Sequence, residues 1–221
     1  MISDIYIQDN VNQRECKRCG TCCKKGGPCL HSEDRVLLVK GVLGPPDLVT
    51  YRAGEMALNP LSKELVCLKS EMIKIRGDDQ GTCIFFRYAD NSCTIYENRP
   101  LECRRLKCWD TRDIEGLFLN DTLMRMDLIP EDSLLSELIK AYEITYSISS
   151  IWQLCRDSFD EGKGQSDRRQ VLIAKDMEFR NKVMETVGID QASCNFFFGR
   201  PVADIIAVFE TILCEKRPKN E

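Results

Sequence analysis

Residues 14–30 read RECKRCGTCCKKGGPCL, and within them the cysteines step Cys16-x-x-Cys19-x-x-Cys22-Cys23. A C-x-x-C step lets two thiolates turn back onto one ion, because the intervening pair forms a tight turn. Zinc knuckles and iron–sulfur loops share this spacing. Gly20 relaxes the backbone where such a loop must bend. The stretch is rich in Cys, Gly and basic residues and poor in large apolar ones, so it reads as an irregular loop that something must organise.

A second stretch, residues 83–109, reads CIFFRYADNSCTIYENRPLECRRLKCW and adds Cys83, Cys93, Cys103 and Cys108. The first loop is similar to the opening of a ferredoxin-type run but lacks its x-x-x-Cys-Pro continuation, so a fourth ligand has to come from elsewhere. The second stretch can supply it. Cys22 and Cys23 are adjacent, and neighbouring side chains usually diverge. Both are therefore not expected on one mononuclear ion: one faces a second metal, or packs and hydrogen-bonds.

The chain has 13 cysteines in 221 residues. Ten lie between Cys16 and Cys108, and only Cys155, Cys194 and Cys214 lie beyond. An odd count excludes complete pairing within the chain, and a reducing cytoplasm disfavours structural disulfides. Free buried thiols occur as small core residues, but these would not gather in one half at tight spacing. Dithiol exchange is the other alternative, and the strand-then-helix setting of a thioredoxin motif is missing. Basic residues interleave with the cysteines, among them Lys17, Arg18, Lys24, Lys25, Arg99, Arg104, Arg105 and Lys107. Nearby cations stabilise thiolates, though any one of these can be a solvated surface charge.

The run CKRCGTCC, then CIFF, then CTIYENRPLECR resembles the YkgJ-like CxxCxxCC cysteine-cluster family, described as a zinc- or iron-chelating domain. The matching residues are Cys16, Cys19, Gly20, Cys22, Cys23, Cys83, Cys93, Ile95, Tyr96, Arg99, Pro100, Cys103 and Arg104. The resemblance covers 15–109 and implies a metal centre, with an iron–sulfur cluster (4Fe-4S) favoured over zinc. Flagellin lysine N-methylases carry a similar cluster beside a methyltransferase activity. This chain is short and shows no methyl-donor motif. Cys29, Cys67 and Cys108 stand outside the minimal pattern. Backbone amides of the first turn after Pro100, together with Arg104, can hydrogen-bond cluster sulfurs and tune the centre. Tyr96 and Arg99 also have a plainer reading, as core packing and as an ion-pair partner.

Outward from the cysteines the elements are short. SEDRVLLVKGVL (32–43) predicts a brief helix with Ser32 as N-cap and Gly41 near its end, closed by a Gly44-Pro45-Pro46 turn. EMIKIRG suggests a short strand, and CIFFRY and SCTIY two more around Ala89-Asp90-Asn91. Pro100 is expected in the first turn of a helix through LECRRLKCW. From about 120 the pattern turns helical. Leu134, Leu138, Tyr142, Thr145, Ile148, Trp152 and Cys155 fall on one face at spacings of three and four. A loop DEGKGQSD follows, then a helix over 167–187 ended by Gly188. A last helix starts near Pro201 and buries Val202, Ile205, Ile206, Phe209 and Leu213. Phe196, Phe197 and Phe198 are expected in the core. The fold class is α+β: a small irregular cysteine-rich metal-binding part, 1–115, packed on a mainly helical part, 116–221.

The net charge of −4 argues against a nucleic-acid partner. No apolar run reaches the roughly 18–20 residues of a membrane span. MISDIYIQDN has neither the basic start nor the apolar run of a signal peptide, so a cytoplasmic location is expected. His31, the only histidine, lacks a partner at ligand spacing and is expected at a cap or on the surface. No hydrolase triad, P-loop or dinucleotide fingerprint appears. The expected function is metal binding at Cys16, Cys19, Cys22, Cys23, Cys83, Cys93, Cys103 and Cys108, with Arg99 and Arg104 beside the cofactor. That centre would serve electron transfer, metal handling or regulation through a protein partner. The alternatives are a methylase-like enzyme of protein modification and a zinc-stabilised interaction module.

Overall fold

The computed structural model describes residues 13–59, 62–161 and 166–215. Its architecture is α+β. The 3-10 turn Ser32–Asp34 leads into α1 (Arg35–Val39). The cap position is His31, one residue before the expected Ser32, and Gly41 follows the helix at φ +68°. Three two-stranded antiparallel sheets follow. β1 (Leu48–Tyr51) pairs with β4 (Met72–Ile75), β2 (Met56–Leu58) with β3 (Leu65–Cys67), and β5 (Phe86–Arg87) with β6 (Ser92–Cys93). The strand expected at Ile73 and Ile75 is therefore β4, in register Leu48 to Ile75 and Thr50 to Ile73. The strands expected in CIFFRY and SCTIY shrink to two residues each, turned by Asn91 at φ +52°.

α2 (Leu101–Arg105) departs from expectation at both ends. Pro100 is its N-cap residue rather than part of its first turn, and Leu106 is already extended. The helix therefore stops before Cys108, which lies in the following turn ahead of α3 (Arg112–Glu115). The long apolar face from Leu134 is split into α4 (Leu134–Thr145) and α5 (Ile148–Glu161). The break falls where Ser147 turns its hydroxyl back to accept the Ser150 N–H at 3.3 Å. A serine that satisfies amides locally favours a new helix start over continuation. Leu134 and Thr145 are exposed as a result, while Ile139, Tyr142, Tyr146, Ile148, Ile151 and Cys155 are buried.

α6 (Ser166–Val187) ends at Gly188, φ +75°. The middle of the expected DEGKGQSD loop lies outside the described residues; its flanks are helical. α7 (Gln191–Phe197) has no counterpart in the sequence expectations, although Phe196, Phe197 and Phe198 are buried as expected. α8 (Val202–Glu215) buries Val202, Ile205, Ile206, Phe209 and Ile212; Leu213 is only half-buried.

One core runs through both halves. Leu30, Leu48, Ile73 and Ile75 from the first half join Tyr142, Ile151, Phe198 and Ile205 from the helices. Each such side chain contributes about 1.5–3 kcal/mol when fully buried. α7 packs on β1, where Thr50 Oγ1 donates to the Phe196 carbonyl at 2.7 Å. α5 and α6 pack on α8, with Trp152 edge-on to Phe209. Among the described residues no helix is long and apolar enough to cross a membrane.

The cysteine loop is fastened to this core by the segment 27–30. It runs beside β4, with the Ile75 N–H donating to the Pro28 carbonyl and the Leu30 N–H to that of Ile73. Gly27 is buried there, and a Cβ on it would lie 2.1 Å from the Ile75 carbonyl oxygen. Backbone cannot swing aside as a side-chain tip can. Gly27→Ala is expected to lower stability by about 1–3 kcal/mol, as overpacking does. Denaturant unfolding measures it, and an unchanged midpoint would mean that the two segments are not so closely apposed.

Candidate metal centre

The Cys16–Cys23 loop reverses twice. Arg18 and Gly20 both take positive φ, and the Arg18 N–H points to Cys16 Sγ at 3.4 Å. Gly20 is required here for two reasons: its φ is +74°, and a Cβ on it would sit 2.3 Å from the Phe86 ring. The turn Cys23–Lys25 follows, closed by Lys24 N–H to the Gly20 carbonyl. A hydrogen bond from Cys83 N–H to the Cys23 carbonyl, 2.9 Å, then ties this loop to the second cysteine stretch. β5 and β6 bring Cys93 back towards Cys83, and the first turn of α2 carries Cys103.

The eight sequence-predicted thiols fall into two adjoining groups. In the inner group Cys22, Cys23, Cys83, Cys93 and Cys103 lie close enough to act on one another's thiols, and Cys22 is the strongest thiol neighbour of both Cys23 and Cys103. In the outer group Cys108 feels Cys19, Cys16 and, less, Cys22. None of the chain's cysteines is in a disulfide. Cys83 is buried and Cys103 half-buried, whereas Cys16, Cys19, Cys22 and Cys108 are exposed. Cys22 and Cys23 do not diverge as expected; their thiols interact. That interaction pulls the Cys22 thiol down to about 6, with help from the Arg99 charge, and pushes Cys23 up. Burial first, and then neighbouring thiols, raise Cys83 and Cys103. The Thr21 hydroxyl lowers Cys19. Cys23, Cys83 and Cys103 are therefore held protonated until a cation arrives, since metal binding releases such protons.

Tyr96 is not in the core. Its ring carries two guanidinium groups, Arg99 at 3.6 Å and Arg18 at 4.0 Å from the centroid. Cation–π contact of this kind holds positive charge in place next to the thiols. Arg99 also donates to the Tyr96 carbonyl at 2.8 Å. Arg104 faces the other way: it donates to Glu33 at 2.6 Å and to the Arg99 carbonyl at 3.0 Å. The Leu101 amide of the first turn of α2 goes to Asp34 Oδ1 at 2.8 Å, so that amide is already satisfied by a carboxylate.

Three residues given no site role by sequence come together at the start of α2. Cys29, His31 and Glu102 place ligand-type atoms within 4.8 Å of one another. His31 is 1% exposed, which corrects the surface alternative, although the cap position is right. Cys67 and Cys214 are exposed, and Cys155 and Cys194 are core residues; none of these four lies in either thiol group. The signal for Glu102 was weak: a carboxylate one residue before Cys103 on a short helix.

No curated protein and no solved structure matches this chain. A family model does, CxxCxxCC, "Putative zinc- or iron-chelating domain", over residues 15–121. The match begins just before Cys16, ends beyond Cys108 and so encloses both thiol groups and the Tyr96 stack. Residues 15–121, just under half of the chain, are thus similar to the CxxCxxCC domain, and this similarity supports metal binding by that segment.

Proposed function

We propose that this chain is an iron–sulfur protein in which the two thiol groups hold two adjacent centres. The inner set is Cys23, Cys83, Cys93 and Cys103; the outer set is Cys16, Cys19 and Cys108, completed by Cys22, which acts on thiols of both groups. The observation that supports this most is the grouping itself. Eight free thiols exceed the four that one structural zinc takes. An all-thiol donor set is the one that iron–sulfur clusters use. The division also gives the adjacent Cys22 and Cys23 a role each, one on either side of the boundary.

The residues present fit such a group. Cys103 is carried on a short helix whose start is fastened to Asp34, so its position is fixed before metal arrives. Arg99 and Arg18, parked on Tyr96, offset the negative charge that four thiolates leave on a cluster. A bound iron–sulfur cluster supplies one-electron transfer. The exposed outer thiols put that chemistry where a protein partner can reach it.

The test is metal and acid-labile sulfide content on protein purified without oxygen, with an absorption spectrum of the same sample. Iron and sulfide in equal amounts, with a broad sulfur-to-iron charge-transfer band, support the reading. A colourless protein carrying stoichiometric zinc and no sulfide overturns it and makes the thiol groups structural zinc sites.

A further inference from the structure

Cys29, His31 and Glu102 form a cluster of their own that includes none of the eight thiols, although Glu102 is near enough to act on Cys103. The strongest observation is an orphan. His31 is 1% exposed, and its Nε2 has no hydrogen-bond partner. Its other nitrogen, Nδ1, is 2.9 Å from the Asn120 carbonyl. A carbonyl only accepts, so Nδ1 carries a proton in either state of the ring; Glu102 favours the imidazolium, and in the neutral ring Nε2 is left with its lone pair. A buried polar atom without a partner costs about 1–3 kcal/mol and calls for an explanation.

The surroundings of Nε2 are those of a metal ligand. Glu102 Oε1 lies 3.5 Å away, and Glu102 Oε2 is held by the Cys29 N–H at 2.8 Å. Cys29 is 5% exposed, and its thiol has only a long contact, 3.5 Å, to the Leu30 carbonyl. The geometry is fixed from behind. Asp34 accepts the His31 N–H at 3.0 Å and the Leu101 N–H at 2.8 Å, locking the histidine segment to the start of α2. Ligating histidines characteristically donate their second nitrogen to a carbonyl or carboxylate, which sets tautomer and ring direction. Nδ1 on Asn120 does this.

We propose that Cys29 Sγ, His31 Nε2 and Glu102 Oε1 form a separate mononuclear site for a zinc-class divalent cation. One sulfur, one nitrogen and one oxygen suit an ion of borderline softness such as zinc, with a fourth position left to water. Bonds of about 2.0–2.3 Å at tetrahedral angles set ligand atoms roughly 3.3–3.8 Å apart, so a triad within 4.8 Å closes on the ion by a side-chain shift of about 1 Å. Binding displaces the Cys29 proton to solvent, which leaves the triad and ion neutral overall: two negative ligands against a doubly charged cation. Glu102 precedes Cys103, so α2 would carry one ligand to each of two centres. Occupation of this site would hold the helix that presents Cys103.

Because His31 is the only histidine, its imidazole gives one set of nitrogen resonances. Full-length 15N-labelled protein with its thiol groups already loaded should be titrated with zinc chloride. The expected result is a shift of the His31 Nε2 resonance, complete at one equivalent, with Nδ1 still protonated. Glu102→Gln, which keeps an acceptor for the Cys29 N–H, and Cys29→Ser should each take up one zinc fewer than the wild type, with metal in the thiol groups unchanged. Imidazole resonances that do not move as zinc is added overturn the site. So does a Glu102→Gln protein that takes up as much zinc as the wild type. Should a variant fail to fold, the wild-type titration still decides.

Discussion

Cys103→Ser is expected to empty the inner centre, Cys108→Ser to empty only the outer one, and Cys155→Ser to leave both filled. Metal and sulfide per chain measure all three. Cys103 sits among Cys22, Cys83, Cys93 and Glu102, on a helix that cannot follow a shorter, harder ligand inward. A structural thiolate site binds with about 10–16 kcal/mol at neutral pH, or about 2.5–4 per ligand. Losing one soft ligand therefore weakens binding by roughly two to three orders of magnitude. Cys108 belongs to the other set, near Cys19 and Cys16, so its loss should spare the inner metal. Cys155 is 1% exposed inside the helical core. A serine there can donate back to a carbonyl one turn earlier, as Ser158 does to Leu154 at 2.7 Å. That change costs about 1–3 kcal/mol of stability and no metal. Equal metal loss from all three variants would mean that the centre has been misplaced.

The turning of the cysteine loop was legible because such a loop is a local object. Cys16 to Cys23 must turn back within eight positions, and spacing, glycine and charge all record that. The long helices were legible for a similar reason: α6 and α8 start and stop on local signals, such as Gly188. What the sequence did not reveal depends on partners far along the chain. Leu48–Tyr51 is four residues long, and only pairing with Met72–Ile75 makes it a strand. The break between α4 and α5 was hidden because the apolar spacing continues across it, while Ser147 quietly supplies a cap. Cys29, His31 and Glu102 meet only after α2 has docked on the segment 29–34, which no spacing rule contains. Tyr96 shows the opposite error: an aromatic residue read as core is a platform for two cations. Buried charge has no spacing signal either: Arg52 and Glu55 are fully buried and Arg125 is 3% exposed.

Arg125 is the residue whose loss should cost the fold most. Its backbone N–H and Nε go to the two oxygens of Glu71, at 2.6 and 2.9 Å. Its Nη2 reaches both Glu71, at 2.5 Å, and Glu143, at 2.7 Å, and Nη1 donates to the Phe197 carbonyl at 2.7 Å. One side chain thus ties the strand region, α4 and the end of α7 together. Glu143 passes the network on to Arg52 at 3.3 Å, and Arg52 to the Tyr146 carbonyl at 3.0 Å. Such a network need not stabilise relative to a fully apolar core, but removing one member leaves charges buried without partners. Arg125→Met is expected to destabilise by about 3–5 kcal/mol, which for a chain of this size lowers the melting temperature by roughly 6–20 °C. Arg125→Lys should recover only part, because an ammonium cannot present the planar fork that Glu71, Glu143 and Phe197 share. Adding Glu71→Gln to Arg125→Met should return part of the loss, since the stranded carboxylate is then neutral. Metal content per folded chain should stay at the wild-type level in all of these variants. An Arg125→Met protein as stable as the wild type would show that the network adds nothing to the joint between the two halves. One that folds but loses metal would instead show that this joint sets the geometry of the thiols.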